Sequence, residues 1–149
     1  MSSGVLIDTN VLIYSTGFDG PPKAMAADAV LTVLSGTESG AVSTQVLSEY
    51  ANTMLRLYLR SAHPTVVREL AALRETWPVL LVTDEVIADA VRGTIEHGMS
   101  FYDAQLWATA RLAGFGVVLT EDFTDGRVVE GVRFVDPFSR SFDPRQLSI

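Results

Sequence analysis

Short apolar runs alternate along the chain with segments in which apolar residues recur every three or four positions. Continuous runs lie at residues 5–7, 79–82 and 117–119, and such runs are typical of strands that are covered on both faces of a sheet. Residues 41–42 and 132–135 predict two further short strands. Between these strands the spacing is helical, and it predicts helices at residues 24–34, 44–60, 65–75, 84–97 and 101–112.

This alternation of strands and helices determines the expected fold. Parallel strands need crossover connections, which place helices on both faces of the sheet. We therefore expect a three-layer α/β/α fold around a parallel sheet of about four to five strands. Residues 17–23 contain two glycines and two prolines and predict a loop. We expect residues 1–137 to form one domain, and residues 138–149 to be a C-terminal tail that is either part of that domain or flexible.

Composition narrows the class of protein. A chain of 149 residues is long enough for one domain with a sizeable core. Its apolar runs are all interrupted before the ~18 residues that a membrane span requires. The start of the chain lacks the basic and apolar regions of a signal peptide, and there is no cysteine, so we expect a cytoplasmic protein without disulfides.

Charge narrows the class further. The formal net charge is −7, and Lys23 is the only lysine. A protein that attracts nucleic acid by general electrostatics needs a basic face, so the composition argues against a simple nucleic-acid-binding module. It does not exclude a nuclease, because divalent cations held by acidic side chains present positive charge to phosphate.

Four acidic residues follow predicted strands or lie near the starts of predicted helices: Asp8, Glu49, Asp103 and Asp122. Right-handed crossovers bring the carboxyl ends of parallel strands and the starts of the following helices to one edge of the sheet, which is where open α/β sheets bind ligands. The order of elements therefore predicts that these four carboxylates meet.

Each of these acids also has an ordinary explanation. Asp8 could cap the helical segment that follows it, and Asp103 could complete a capping box with Ser100. Glu49 could be a solvated helix residue. Asp122 could be a loop aspartate, with Glu121 and Asp125 as competitors for any acidic role.

A metal cluster would explain all four acids together. Two unit charges ~4 Å apart repel by about 4 kcal/mol at an effective dielectric near 20, so the group needs protonation or a cation. Oxygen ligands without cysteine favour magnesium or manganese over zinc. We expect His63 and His97 to lie outside the cluster.

Four segments carry a resemblance to a known family: VLIDTNVLIY, TQVLSEYANTMLR, SFYDAQLWATARLAG and VLTEDF. Their order and approximate spacing resemble the four acidic motifs of PIN domains, especially the VapC-type toxin ribonucleases. The resemblance extends to about Pro137. It implies an α/β/α nuclease fold and hydrolysis of RNA with Mg²⁺ or Mn²⁺, leaving a 5′-phosphate.

The resemblance also implies roles for individual residues. Asp8, Glu49 and Asp103 match the first three acidic positions and Asp122 the fourth, so these four are the expected catalytic and metal-binding residues. Asn10 and Thr120 match polar positions that support them. With one lysine in the chain, we expect arginines to contact phosphate, for example Arg56, Arg60 and Arg111.

The family also suggests partners: an RNA substrate, a cognate VapB-like antitoxin and a second copy of the chain in a homodimer, with no membrane. Two alternatives stay open at this point. The first is a non-catalytic interaction protein with a PIN fold. The second is a phosphatase related to the haloacid dehalogenases, but that family has an acid where this chain has Asn10, and a lysine after a later strand where this chain has none.

Overall fold

The central sheet has six strands in the order β3-β2-β1-β4-β6-β5. The computed structural model describes residues 2–147. The strands are β1 (Ser2–Ile7), β2 (Gly40–Ser43), β3 (Val79–Leu80), β4 (Phe115–Leu119), β5 (Val128–Val129) and β6 (Val132–Val135). All neighbouring strands are parallel except β5 and β6. In the centre, Ile7 of β1 pairs with Leu119 of β4, so these two strands end at the same level.

Six helices connect and cover these strands: α1 (Thr9–Ser15), α2 (Pro21–Gly36), α3 (Thr44–Leu57), α4 (His63–Thr76), α5 (Asp84–His97) and α6 (Phe101–Leu112). The sequence prediction of a three-layer α/β/α fold is confirmed. The bounds of α5 and α6 agree with the predicted ones, because glycine and serine mark their ends. Gly98 caps α5 with a left-handed backbone (φ 69°), and Ser100 is the N-cap of α6.

The predicted sheet of about four to five parallel strands was too small. The additional strand, β5, forms an antiparallel hairpin with β6. Its turn residues Glu130 and Gly131 both have positive φ, as tight hairpin turns require. A two-residue strand leaves too short an apolar run to be recognised from the sequence.

The bounds of α2, α3 and α4 also differ from the predicted ones. Proline is favoured in the first turn of a helix, and α2 begins at Pro21, inside the predicted loop at residues 17–23. Helix α3 ends at Leu57 because Tyr58 is extended, with ψ 144°. A short 3-10 turn at Arg60–Ala62 then leads into α4.

The core lies on both faces of the sheet. The strand residues Val5, Leu6 and Ile7 are completely buried. Of the described tail residues, Leu147 is buried and Phe138 packs edge-on against Tyr14, and residues 148 and 149 of the expected tail lie outside the described part. None of the described helices is long and apolar enough to cross a membrane.

Candidate functional site

Asp8 is placed by the junction between β1 and α1. It is the N-cap of α1, and its Oδ1 accepts a 2.7 Å hydrogen bond from the Thr9 amide. The side chain is only 8% exposed. The capping role considered from sequence is therefore real, but it occupies one carboxylate oxygen and leaves the other to the neighbouring side chains.

Asn10 and Thr120 connect Asp8 to Asp122. The Thr120 hydroxyl donates to Asp8 Oδ2 at 2.7 Å and accepts from the Asp122 amide at 3.1 Å. The Asn10 Nδ2 group lies 3.3 Å from Asp8 Oδ2 and 3.2 Å from Asp122 Oδ2. Because β1 and β4 end at the same level, residues 112 positions apart in the chain become neighbours.

Glu49 approaches this group from α3. Its Oε2 is 3.5 Å from the Thr9 hydroxyl, and its Oε1 accepts a 2.8 Å hydrogen bond from Gln45 one turn earlier. Glu49 is exposed, so it faces the open side of the sheet edge.

Asp103 lies in the first turn of α6. The capping box considered as an alternative from the sequence does not form, because the Ser100 side chain makes no capping hydrogen bond. Asp103 instead contributes to the electrostatics of Asp122, whose pKa it helps to raise. The structure therefore brings all four predicted acids to one edge of the sheet.

The electrostatics of the acid cluster (Asp8, Glu49, Asp103 and Asp122) show an excess of negative charge. Burial raises the pKa of Asp8 to about 7, and repulsion from Asp122 and Glu49 adds to this, against the opposing hydrogen bonds from Thr120 and Thr9. Loss of solvent also raises the pKa of Asp122, and repulsion from Asp103, Glu121 and Glu49 raises it further.

A divalent cation fits the donor set of the acid cluster. Asn10 Oδ1 is buried and accepts no hydrogen bond from the described residues, and a buried polar atom of this kind calls for a partner. Carboxylate and amide oxygens are hard ligands suited to Mg²⁺ or Mn²⁺. A cation would also offset the repulsion that, together with burial as the larger cause, raises the pKa values of Asp8 and Asp122. The four acids are not tightly clustered, since no three of them bring ligand atoms within 4.8 Å of one another in the described part of the chain.

A tighter group of ligand atoms occurs elsewhere. One oxygen or nitrogen from each of Glu96, His97 and Glu130 lies within 4.8 Å of the others. Arg92, however, binds Glu96 at 2.9 Å and Glu130 at 2.8 Å. The charge of this second group is thus already offset, and a metal ion would have to displace a guanidinium.

Fewer basic side chains are available near the acid cluster than the sequence predicted. Arg111 binds Asp89 at 2.7 Å, eight residues along α6 from Asp103, and so lies away from the site. Lys23 binds Glu121 at 2.9 Å. Asp125 accepts a 2.9 Å hydrogen bond from the Asp136 amide, whereas Asp122 is the acid in contact with Asn10.

Glu121 was considered from the sequence as a competitor of Asp122, but its contacts and the other neighbours of the acids were missed. Glu121 accepts hydrogen bonds from Tyr14 and Lys23, and the Lys23 ammonium lies 4.1 Å from the centre of the Tyr14 ring. Gln45 and Gln105 are bonded to each other at 2.9 Å beside Glu49. The four-residue spacing of Gln45 and Glu49 is a sequence signal that they share a helix face. The position of Gln105 depends on the packing of α6 against α3.

Comparison with known proteins gives one family. The family model described as PIN domain matches residues 5–124. No curated protein matches the chain at a significant level.

Several solved structures share the fold. FitAcB from Neisseria gonorrhoeae has a TM-score of 0.70 at 19% identity, over 90% of this chain and 98% of its own. A toxin-antitoxin complex from Klebsiella pneumoniae has a TM-score of 0.64 at 22% identity, over 90% and 98%. VapC20 from Mycobacterium tuberculosis, described as a "Sarcin-Ricin loop cleaving toxin", has a TM-score of 0.59 at 23% identity, over 77% and 87%. At these identities the likeness concerns the fold.

Proposed function

The chain belongs to the PIN domain family, and from this premise we propose that it is a metal-dependent endoribonuclease that acts as the toxin of a toxin-antitoxin pair. PIN domains are generally nucleases. Membership of the family also removes the phosphatase alternative. The proposal then depends on whether this chain keeps a working site.

The observation that carries the proposal is the uncompensated charge of the acid cluster. Asp8 is buried with its pKa raised to about 7, and Asn10 Oδ1 beside it is buried without a hydrogen-bond donor among the described residues. A fold that needed these residues only for structure would gain stability by replacing them, because buried unpaired charge is unfavourable. Binding of a cation would explain why these residues are present, because it would offset their charge and supply a partner for the Asn10 oxygen.

In the proposed mechanism Asp8, Glu49, Asp103 and Asp122 hold one or two ions of Mg²⁺ or Mn²⁺. When bound, such ions make a water molecule more acidic and offset negative charge on the phosphate. The Thr120 hydroxyl fixes the orientation of Asp8 by donating to Oδ2, and Asn10 holds the Asp8 and Asp122 carboxylates in register. Gln45 and Thr9 orient Glu49 from the other side.

The RNA substrate and the antitoxin partner are supported by similar proteins. VapC20 is described as cleaving the sarcin-ricin loop, and the Klebsiella pneumoniae structure is a toxin-antitoxin complex. We propose a small antitoxin as the partner of this chain. An antitoxin would need to cover the open sheet edge that carries the four acids.

We also propose a homodimer. One apolar surface available for it lies on α5, where Ile87, Val91 and Ile95 are spaced four residues apart and are 45%, 46% and 77% exposed. Helices α2 and α3 also carry exposed apolar side chains, among them Met25 at 71% and Leu57 at 46%. Sedimentation of the wild type and of Ile95→Glu tests the surface on α5, since a charge there should shift a dimer toward monomer.

Cleavage of single-stranded RNA by the purified protein tests the nuclease proposal. We expect cleavage with Mg²⁺ or Mn²⁺ that stops when EDTA is added, and no cleavage by Asp8→Asn. Asp125→Asn is the matched control, because Asp125 contacts the Asp136 amide rather than Asn10, and it should cut at the wild-type rate.

The second candidate function is a PIN-fold interaction protein without catalysis. It would be favoured if the folded wild type cut no RNA with either metal ion, or if Asp8→Asn cut as well as the wild type. The intact set of four acids speaks against this candidate.

A further inference from the structure

A cavity of about 640 Å³ opens beside Glu49, between the first turns of α3 and α6. Its other walls are formed by Thr44, Gln45, Ser48, Val82, Tyr102 and Gln105. We propose that this cavity, called here the base pocket, receives one unstacked nucleobase of the RNA next to the bond that is cut. The inference rests on the proposed ribonuclease function and concerns the recognition of its substrate.

Charge identifies the kind of group that the base pocket suits. Glu49 is the one charged side chain among the residues that line it, and no lysine or arginine contributes to its walls. A phosphate would find no cation there and would be repelled by Glu49. A nucleobase is neutral and flat, and it is smaller than the cavity.

Gln105 supplies groups that can read the edge of a base. Its side chain is 8% exposed, and its Nε2 donates to Gln45 Oε1 at 2.9 Å. Its Oε1 accepts no hydrogen bond from the described residues. A carboxamide offers two N–H donors and an acceptor, so one N–H and the oxygen are available to a base, which is how glutamine recognises base edges in nucleic acids.

Tyr102 supplies a surface for stacking. It is 66% exposed at the mouth of the base pocket, and its ring is held edge-on by Phe101, with 5.4 Å between ring centres. Single-stranded RNA is commonly bound by stacking its unstacked bases on exposed aromatic rings. Tyr102 therefore has the position and exposure of a stacking residue.

Gln45 links the base pocket to the acid cluster. Its Nε2 donates to Glu49 Oε1 at 2.8 Å and to the Tyr102 carbonyl at 3.1 Å, while its Oε1 accepts from Gln105. The chain of hydrogen bonds runs from Gln105 through Gln45 to Glu49. Only the Gln45 side chain would then separate a base bound to Gln105 from Glu49, a proposed metal ligand. The phosphate of the same nucleotide would lie at the acid cluster.

Cleavage of an RNA with a randomised single-stranded loop, followed by sequencing of the products, tests the base pocket. We expect the wild type to prefer one base at a fixed position beside the cut. Gln105→Ala should reduce that preference about tenfold at that position alone. Tyr102→Ala should slow cleavage of all sequences about tenfold, and Tyr102→Phe, which keeps the ring, should slow it much less.

Gln146→Ala, a glutamine substitution in the C-terminal turn, is the matched control and should leave the preference unchanged. Thermal melting shows whether the buried Gln105→Ala variant is folded, and the exposed Tyr102→Ala variant tests the pocket without that risk. If the wild type cleaves RNA and neither variant changes preference or rate, the proposal that this pocket binds a base is wrong. The proposed nuclease function would still stand.

A second measurement does not depend on cleavage. The side-chain amide signals of Gln45 and Gln105 can be followed by NMR while adenosine, guanosine, cytidine and uridine are added at millimolar concentration. We expect one nucleoside to shift both signals and Tyr102→Ala to abolish the shift. If the wild type cuts no RNA, this titration alone decides, and the absence of a shift with all four nucleosides overturns the base pocket.

Discussion

Two groups of carboxylates in this molecule differ in what offsets their charge. The acid cluster at the ends of β1 and β4 contains no arginine or lysine, and the pKa values of Asp8 and Asp122 are raised. The second group, called here the arginine-paired cluster, lies on α5, α6 and the β5–β6 turn. It consists of Asp89, Glu96, Glu130, Arg92, Arg111 and His97.

The carboxyl groups of the arginine-paired cluster have lowered pKa values. Hydrogen bonds from Arg92 and His97 lower the pKa of Glu130 to about 2. For Asp89, burial would raise the pKa, but the hydrogen bonds from Arg111 and Arg92 outweigh it and lower the value. Both arginines also lie over the Trp107 ring, at 5.4 and 5.8 Å, so this cluster attaches α5 to α6.

The comparison shows that closeness of ligand atoms is a poor guide to a metal site by itself. The arginine-paired cluster has the shorter distances, but its negative charge is already neutralised. The acid cluster is more open and lacks any cation of its own. Charge balance therefore supports our proposal that the acid cluster is the functional group, and it indicates a structural role for the arginine-paired cluster.

Loss of a carboxylate from each cluster should have very different consequences for activity, and this is the largest expected effect. Asp103→Asn should lower RNA cleavage by about a thousandfold, because it removes one of the proposed ligands of the metal ion that offsets charge on the phosphate. Asp89→Asn should stay within a few-fold of the wild type. Initial cleavage rates of both variants with Mg²⁺ measure the difference, and equal losses would remove the distinction between the clusters.

In the acid cluster, the loss of a carboxylate should raise the stability of the protein although it lowers activity. The rise of the Asp8 pKa from 3.8 to about 7 corresponds to roughly 4 kcal/mol of lost stability at neutral pH. Asn keeps the helix cap but also loses solvent, so Asp8→Asn should raise the free energy of unfolding of the metal-free protein by about 2 kcal/mol. Urea unfolding in EDTA measures this gain.

The pH dependence of this gain follows from the sign of the shift. A raised pKa means that the folded state holds its proton longer, so wild-type stability falls as pH rises from about 4 to 7. The difference between Asp8→Asn and the wild type should rise by roughly 4 kcal/mol between pH 4 and about 7, from about 2 kcal/mol in favour of the wild type to about 2 kcal/mol in favour of the variant. A difference that is independent of pH would show that the Asp8 charge is compensated within the protein.

The sequence predicted the acid cluster better than it predicted what surrounds the cluster. Asp8 and Asp122 follow strands, and Asp103 begins a helix with clear end signals, so chain order alone brings them to one edge. Whether a carboxylate lacks a cation depends on contacts across the fold. Arg111 was expected to bind phosphate because nothing in the local sequence reveals its partner Asp89 in the preceding helix.

Dependence on contacts between distant residues also limited the prediction of the fold and of the base pocket. The bounds of α5 and α6 were predictable because Gly98 and Ser100 separate them. In contrast, β5 exists only because it pairs with β6, and a two-residue strand has no periodicity to detect. Gln45 and Gln105 are 60 residues apart, so their contact depends on how α3 and α6 pack.

A smaller effect is expected when the arginine-paired cluster loses its buried acid. The Asp89 side chain is 9% exposed and accepts hydrogen bonds from Arg92 at 2.9 Å and Arg111 at 2.7 Å. Asp89→Asn should lower the free energy of unfolding by about 1.5 kcal/mol, since hydrogen bonds to charged groups are lost. Urea unfolding at pH 7 measures the loss. The loss should shrink as the pH falls through the lowered pKa of Asp89, because the wild-type carboxylate is then protonated too.

The smallest effect concerns Glu96, the most exposed acid of the arginine-paired cluster, at 53%. Its ion pair with Arg92 spans four residues on α5, so Glu96→Gln should change stability by less than about 0.5 kcal/mol. The variant is informative because Glu96 belongs to the group with the closest ligand atoms. Mg²⁺ at about 100 times its dissociation constant should stabilise the wild type and Glu96→Gln equally, by roughly 2.7 kcal/mol, and Asp103→Asn much less. A thermal shift lost in Glu96→Gln but kept in Asp103→Asn would place the ion in the arginine-paired cluster and reverse the comparison.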